Sequence, residues 1–278
     1  MGLTRREFLR WAAAAAAVGV GVPSVYGNLV EAWAYEVTET VVRIKDLPER
    51  FEGFRIAQVS DVHHSRLVSI EEVRRVVALA NETRADMVAL TGDYTTDLPK
   101  YVEPCAEVLG ELRAPEGVWA VLGNHDHNTD GTLTRQALGR QGIEVLTNQS
   151  TGLRRGADVL QLAGVDDWGW GMADFGRALR GVDRSRPSLL LSHEPMALDV
   201  PETRGVSLIL SGHTHGGQVS LPLVGAPAAW VWEHLKYLRG KYESEGTQLY
   251  VSRGTGVIGV PVRLGAPPEV AVIRLQRA

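Results

Sequence analysis

The sequence has one cysteine, no apolar run long enough to cross a bilayer, and no surplus of basic charge. Each shortage closes off a class of protein. The single thiol, Cys105, cannot form an intrachain disulfide. It falls in 97-DLPKYVEPCAEVLGEL-112 in phase with Val108, Leu109 and Leu112, which predicts a buried small side chain rather than a reactive thiol. A formal charge of −4 leaves no basic footprint, so nucleic acid is not expected as a substrate or partner. What remains is an ordinary globular balance, 44% hydrophobic and 22% charged over 278 residues, enough to bury a sizeable core.

The apolar stretch 11-WAAAAAAVGVGV-22 is about a dozen residues long, against the ~20 that a membrane-spanning helix needs. It follows Thr4-Arg5-Arg6-Glu7-Phe8-Leu9-Arg10, and a charged start before a short apolar run is the layout of an export signal. Adjacent arginines followed by Phe-Leu resemble a twin-arginine (Tat) signal, which makes the Tat export machinery an expected partner. Ala32-Trp33-Ala34 has the small-x-small form of a cleavage site, and Val25-Tyr26-Gly27 is a second candidate. An uncut signal would act as a membrane anchor. No cysteine follows the apolar run, so a lipoprotein anchor is not expected. Residues 1–34 therefore read as a signal segment, cleaved or anchoring, and 35–278 as one domain placed outside the cytoplasm, in the cell envelope or on its membrane.

Strand-like stretches alternate with helix-like ones. The strand candidates are 36-EVTETVVRI-44, 54-FRIAQVS-60, 86-DMVALT-91, 117-GVWAVL-122, 158-DVLQLAGV-165, 187-PSLLLS-192, 206-VSLILS-211, 247-TQLYVS-252 and 269-EVAVIRL-275. In 69-SIEEVRRVVALANE-82, Ser69 and Glu72 predict a capping box, and Ile70, Val73, Val76, Val77 and Ala80 share one apolar face. Further helices are expected from Thr132 to Gln141, ending at Gly142, and from Ala173 to Arg180, ending at Gly181. This alternation predicts an α/β layered fold with its functional residues on the loops beyond the strand ends.

Those loops are dense in chemistry. After 54-FRIAQVS-60 comes Asp61-Val62-His63, and after 86-DMVALT-91 comes Gly92-Asp93. After 117-GVWAVL-122 comes Gly123-Asn124-His125-Asp126, after 187-PSLLLS-192 His193, and after 206-VSLILS-211 Gly212-His213-Thr214-His215. Five of the eight histidines sit in these five places. Asp-x-His and His-x-His put two ligands on alternate positions of an extended segment, where both can reach the same side. Carboxylate, amide oxygen and imidazole without thiolate suit two divalent metal ions, with Mn, Fe, Zn or Co as candidates. The glycines before Asp93, Asn124 and His213 allow tight turns and close approach of the backbone.

The ordered set D-x-H, G-D, G-N-H-D, H and G-H-x-H resembles the calcineurin-like metallophosphoesterase superfamily. The resemblance implies a four-layer αββα sandwich of two mixed β-sheets flanked by helices. It also implies roles. Asp61, His63 and His215 would hold one metal, Asn124, His193 and His213 the other, and Asp93 would bridge them. His125 would stabilise the transition state or protonate the leaving oxygen, Asp126 would orient its ring, and a metal-bound hydroxide would be the nucleophile. The flanking 61-DVHHS-65, 123-GNHDH-127, 212-GHTHGGQV-219, 250-YVSRGTG-256 and 261-PVRL-264 resemble exported bacterial cell-envelope phosphoesterases. The implied activity is hydrolysis of a phosphodiester or pyrophosphate bond in a phosphorylated envelope metabolite or lipid. A phosphomonoesterase shares the same metal core. A non-catalytic metal-binding scaffold is the remaining alternative, disfavoured because no ligand is missing.

Other residues have plainer expectations. His64 and His127 read as solvated loop neighbours, His234 as surface, and Asp166 and Asp167 as a loop turn. Arg253 reads as a structural salt bridge rather than a phosphate contact. In 221-LPLVGAPAAWVWEHLKYLRGKY-242, Trp230, Trp232, Leu235 and Tyr237 interleave with Lys236, Arg239 and Lys241. The pattern fits a helix packed on the core or an interfacial helix touching a membrane surface. Trp168 and Trp170 pose the same choice.

Overall fold

The computed structural model describes residues 27, 28, 30–221, 225–227 and 236–278. The arginine pair and apolar run of the expected signal lie outside the described residues, as do Trp230, Trp232, His234 and Leu235.

Among the described residues twelve strands run β1 Glu36–Ile44, β2 Arg55–Val59, β3 Met87–Leu90, β4 Val118–Ala120, β5 Glu144–Val145, β6 Gln149–Arg155, β7 Asp158–Gly164, β8 Ser188–Leu191, β9 Leu208–Ser211, β10 Gly240–Ser244, β11 Thr247–Val251 and β12 Glu269–Arg277. They form two six-stranded sheets, ordered β1-β12-β2-β3-β4-β5 and β10-β11-β9-β8-β7-β6. Both are mixed: β12 is parallel to β1 but antiparallel to β2, and β10 and β6 run antiparallel to the strands they flank. The helices are α1 Ile70–Glu82, α2 Val102–Leu109, α3 Asn124–Arg140 and α4 Phe175–Ala178.

Alternation along the central strands explains why two sheets stack. On β3, Met87 and Ala89 face the second sheet while Val88 and Leu90 face α1 and α2. On β8 and β9, Leu189, Leu191, Leu208 and Leu210 face the first sheet, and Leu190 and Ile209 point outward. Strands covered on both faces need apolar residues at every position, which is why these segments read as continuous apolar runs. The layers are therefore helix, sheet, sheet, helix. The fourth is thin: Ala178 and Leu179 from α4 join Ala197 and Leu198 from a short 3-10 turn to cover the outer face of the second sheet.

The structure departs from the sequence reading in several places. β5, β6 and β10 were not expected, because all three lie on sheet edges and lack an apolar alternation: of their residues only Leu153 of β6 is buried. β10 also takes Lys241 and Tyr242 out of the helix expected over 221–242. The second helix begins eight residues early, at Asn124, and is broken at Asp130, where φ is −177° and ψ 94°. Asp130 Oδ1 accepts the Leu133 amide proton at 2.9 Å, so it caps the segment that the sequence predicted. Finally, the capping box of α1 is half formed. Ser69 Oγ accepts from the Glu72 amide at 3.3 Å, but the Glu72 carboxylate turns to Arg75.

The expected boundary at residue 34 falls inside a packed segment. Ala32 is fully buried against Val68 and Val257, and Glu31 Oε1 accepts the Ala266 amide at 3.0 Å. A cut after Ala34 would remove these contacts.

Every predicted ligand leaves the same edge of the sandwich, beyond the C-terminal ends of β2, β3 and β4 in one sheet and β8 and β9 in the other. Gln58 ties the sheets there, its Nε2 donating to Thr91 Oγ1 at 3.0 Å and to the Ser211 carbonyl at 2.9 Å. Leu189→Ala, which opens a cavity between the sheets, should destabilise the protein by about 2–5 kcal/mol in urea unfolding. A change below about 1 kcal/mol would show that the sheets do not depend on this packing.

A candidate dinuclear metal centre

The loops after β2, β3 and β9 are not extended. Asp61, His63, Asp93, His213 and His215 all adopt positive φ, between 52° and 71°. A non-glycine residue in this left-handed region is strained by roughly 1 kcal/mol or more, and five together mark a place where side-chain position overrides backbone comfort. This corrects the expectation that D-x-H and H-x-H act as extended pairs. The curled backbone of 213–215 instead sends its two imidazoles to different groups.

Asp61, His63 and His215 form the first group, and Asp93, His193 and His213 the second, the ligand atoms of each lying within 4.8 Å of one another. In the first, His63 Nε2 and His215 Nε2 are 3.1 Å apart, and His215 Nε2 is 3.6 Å from Asp61 Oδ1. In the second, His193 Nε2 is 3.2 Å from Asp93 Oδ2 and 3.1 Å from Asn124 Oδ1, while His213 Nδ1 is 3.2 Å from Asn124 Oδ1. Asp93 Oδ2 also lies 3.5 Å from His63 Nε2, so one oxygen faces both groups. Asp61 joins them from behind by accepting the His213 amide at 2.9 Å.

The donor set fits two divalent cations. Imidazole nitrogens that face each other at such distances share a lone-pair direction, which only a proton or a cation between them resolves. The carboxylates of Asp61 and Asp93 are buried, and the groups facing them are imidazoles and an amide. Burial pushes His63 down to about 3 and holds His215 well below its ordinary value, leaving both rings in the neutral form that binds metal. Burial likewise pushes Asp61 up to about 6. At Asp93 burial acts upward too, but the adjacent His193 outweighs it and holds the carboxyl below its ordinary range. The same pairing raises His193 against the effect of burial.

The other ring nitrogens orient the ligands. His193 Nδ1 donates to the Thr91 carbonyl at 2.7 Å, presenting Nε2 to the second group. Thr96 Oγ1 lies 3.2 Å from His63 Nδ1. Half-buried His125 stands at the rim, its ring 5.0 Å from that of His63, and its Nδ1 donates to the Thr96 carbonyl at 2.9 Å.

Asp126 has a different place from the one expected. It does not orient His125, whose ring is held by Thr96. Its fully buried carboxylate accepts the amides of Asp93 at 2.7 Å, Tyr94 at 2.9 Å and Gly123 at 3.0 Å, tying the β3 loop to the start of α3. Gly123 lies so close to the bridge that a Cβ there would meet Asp93 Oδ1 at 2.3 Å and His193 Cε1 at 2.8 Å. At Gly212 a Cβ would meet Asp61 Oδ2 at 2.3 Å.

The flanking residues also resolve. His64 is buried, its Nδ1 donating to the Val68 carbonyl at 2.9 Å, and is not a solvated neighbour. His127 is not one either: its Nε2 meets Asp166 Oδ1 at 2.7 Å. Arg253 pairs with Glu36 at 2.9 Å and Glu269 at 3.0 Å. Cys105 is buried and its thiol is raised by that burial. Arg263 had no role in the sequence reading. It is fully buried, donates to the carbonyls of Gly254, Gly256 and Ala266, and brings Nη2 to 3.4 Å from His215 Nδ1. Its only sequence signal was its place in 261-PVRL-264.

Two substitutions test this geometry. Gly123→Ala should displace the bridging oxygen and lower the metal content measured by mass spectrometry from two ions per chain toward one or none. Two tightly held ions would contradict the arrangement. Asp126→Asn should destabilise the protein by about 1–3 kcal/mol, because an amide group then faces backbone donors. Wild-type stability in chemical unfolding would count against the loop-tying role.

Comparison with known proteins agrees with this geometry. Residues 54–217 match the family model described as calcineurin-like phosphoesterase. The chain is 34% identical to the metallophosphoesterase YkuE of Bacillus subtilis (strain 168), over 99% of this chain and 98% of that protein. It is 31% identical to phosphodiesterase YaeI of Escherichia coli (strain K12), over 98% and 99%. Among solved structures, TT1561 of Thermus thermophilus superimposes with a TM-score of 0.51 at 14% identity, covering 73% of this chain and 90% of that one, a likeness of fold. The chain belongs to the calcineurin-like phosphoesterase family, metal-dependent hydrolases of phosphoric esters that use two divalent metals.

Proposed function

We propose that this chain hydrolyses phosphodiester or pyrophosphate bonds of an envelope metabolite or lipid, after export through the Tat route. The observation that carries the reading is the Asp93 oxygen that faces His63 at 3.5 Å and His193 at 3.2 Å. One carboxylate oxygen between two ligand groups is the arrangement needed to hold two cations close together. Asp61, His63 and His215 would hold one of them, Asn124, His193 and His213 the other, and Asp93 would face both. When bound, the pair supplies Lewis-acid polarisation of the phosphoryl group and of water.

The chain's own residues supply orientation and proton transfer. Because His125 Nδ1 donates to the Thr96 carbonyl, its Nε2 is the atom at which a proton moves. In the imidazolium form Nε2–H donates to the departing oxygen, and Thr96 keeps the ring turned that way. The name of the E. coli relative, phosphodiesterase, supports the diester reading. Support for export lies in Arg5-Arg6 and the apolar run behind them. A route that carries folded proteins also suits a site assembled from both sheets, since the metals enter only after folding.

With Mn²⁺, the protein should hydrolyse bis-p-nitrophenyl phosphate or a nucleotide-sugar pyrophosphate in preference to p-nitrophenyl phosphate. His125→Ala should lower kcat by about 10²–10⁴-fold with metal content unchanged. Asp93→Asn should lose both metal and activity. Turnover of the monoester alone would overturn the diester reading. For export, Arg5→Lys combined with Arg6→Lys should retain the protein in the cytoplasm on fractionation, and normal secretion would refute the Tat assignment.

A further inference from the structure

A cleft of about 500 Å³ opens directly beside the second ligand group. Its inner end is Asn124 and His213, and its walls are Trp168, Trp170, Met196 and Glu194. The lining is mostly apolar carbon. Trp168 is 51% exposed, Trp170 63% and Met172, on the same loop, 82%. Large apolar side chains this exposed, side by side at a functional site, mark a surface that covers something apolar.

The loop that carries them is built rather than loose. Asp167 Oδ1 accepts the amides of Gly169 at 3.0 Å, Trp170 at 2.6 Å and Gly171 at 3.3 Å. Asp166 Oδ2 accepts the Met172 amide at 3.1 Å, and Asn148 Nδ2 donates to the Met172 carbonyl at 2.6 Å. The Trp168 indole packs edge-on against Phe175, with ring centroids 5.9 Å apart. Asp166 also holds His127, which lies on α3 three residues past Asn124. Buried carboxylates thus fix two solvent-facing tryptophans in place and tie them to the helix that bears a metal ligand. Such preorganisation lowers the entropy lost when a ligand binds.

We propose that the cleft walled by Trp168, Trp170 and Met196 is a substrate subsite that seats an alkyl chain borne by the alcohol esterified to the phosphoryl group, as the glycerol of a membrane phospholipid bears its acyl chains. This deepens the phosphoesterase reading and rests on it. Because the cleft ends on Asn124 and His213, its occupant is continuous with the group held at the metals. A nucleobase fits less well, since its edges need hydrogen-bonding partners. Asn124 and His213 belong to the metal group, which leaves Glu194, met by the Trp168 amide at 3.3 and 3.4 Å, as the one further acceptor side chain on the lining. No Lys or Arg lines the cleft to meet a second phosphate, among the described residues. The open, tryptophan-bearing mouth lets a chain enter from a bilayer surface, where such side chains are at home.

The test uses the Mn²⁺-loaded chain and a series of ethyl-, hexyl- and decylphosphonates below their micelle concentrations, with binding read by calorimetry. Phosphonates are not hydrolysed, so the readout does not depend on turnover. The dissociation constant should fall by about tenfold or more from ethyl to decyl. In Trp170→Ser combined with Met196→Ser the series should become flat. A flat wild-type series, or an unchanged slope in the variant, overturns the subsite. So does a nucleoside phosphonate that binds more tightly than the decyl compound and loses that advantage in the variant. Parallel assays with the matching alkyl p-nitrophenyl phosphodiesters separate the two claims. No hydrolysis with the slope intact sinks the phosphoesterase reading and leaves the subsite, whereas hydrolysis with a flat slope sinks only the subsite.

Discussion

Both oxygens of Asp126 are engaged by backbone amides of the loop after β3 and of Gly123 before α3. Such a carboxylate acts as a knot. It holds the Asp93 segment against the start of α3, and that one juxtaposition places the shared oxygen, Asn124 and His125 together. The His125 amide closes the arrangement by donating to Asp93 Oδ1 at 2.9 Å. Leaving several amides unpaired in a dry interior is costly, so the loops have little freedom to separate. The β2 loop lies alongside this connection, the Asp61 and His63 amides donating to the carbonyls of Gly92 and Asp93 at 2.9 and 3.0 Å, and the remaining histidines face it from β8 and β9.

The rest of the centre is held against its own preferences. Five ligand residues carry left-handed backbone, and two carboxylates sit buried among imidazoles. Neither feature stabilises the fold, and each is tolerated because packing between the sheets over-determines the loops. Cations would relieve the electrostatic part of this conflict at Asp61, whose buried carboxylate lies beside the neutral ring of His215. Strain, burial and metal affinity are thus three aspects of one design.

The openness of the centre is unequal. Asp61, His63 and His215 are closed in by β2, β9 and the buried Arg263, while Asn124 and His213 are half-exposed toward the tryptophan loop. Chemistry and recognition therefore sit on different sides. On the proposed reading the metals would meet the phosphoryl group, and the loop from Asp166 to Met172 would meet the part of the substrate that distinguishes it from others.

Much was legible in the sequence because it is local. Short apolar runs ending in D-x-H, G-D, G-N-H-D, H and G-H-x-H mark buried strands and the residues at their ends, and strands covered on both faces leave that signature wherever they occur. The edge strands β6 and β10 were invisible for the converse reason, since solvated positions carry no pattern. Long-range placement was also beyond reach. Nothing near residues 269–277 says that this last strand inserts between β1 and β2, and nothing near Asp126 says that its carboxylate serves amides more than thirty residues earlier rather than its neighbour His125. The residues alone marked the candidate ligands, the core strands and the donor chemistry available, and the family resemblance they carry supplied the two groupings. Only the tertiary structure decided which backbone holds the two groups, that the Asp126 carboxylate serves backbone amides rather than His125, and that Trp168 and Trp170 stand beside the second group, because each of these depends on contacts between segments that no local preference encodes.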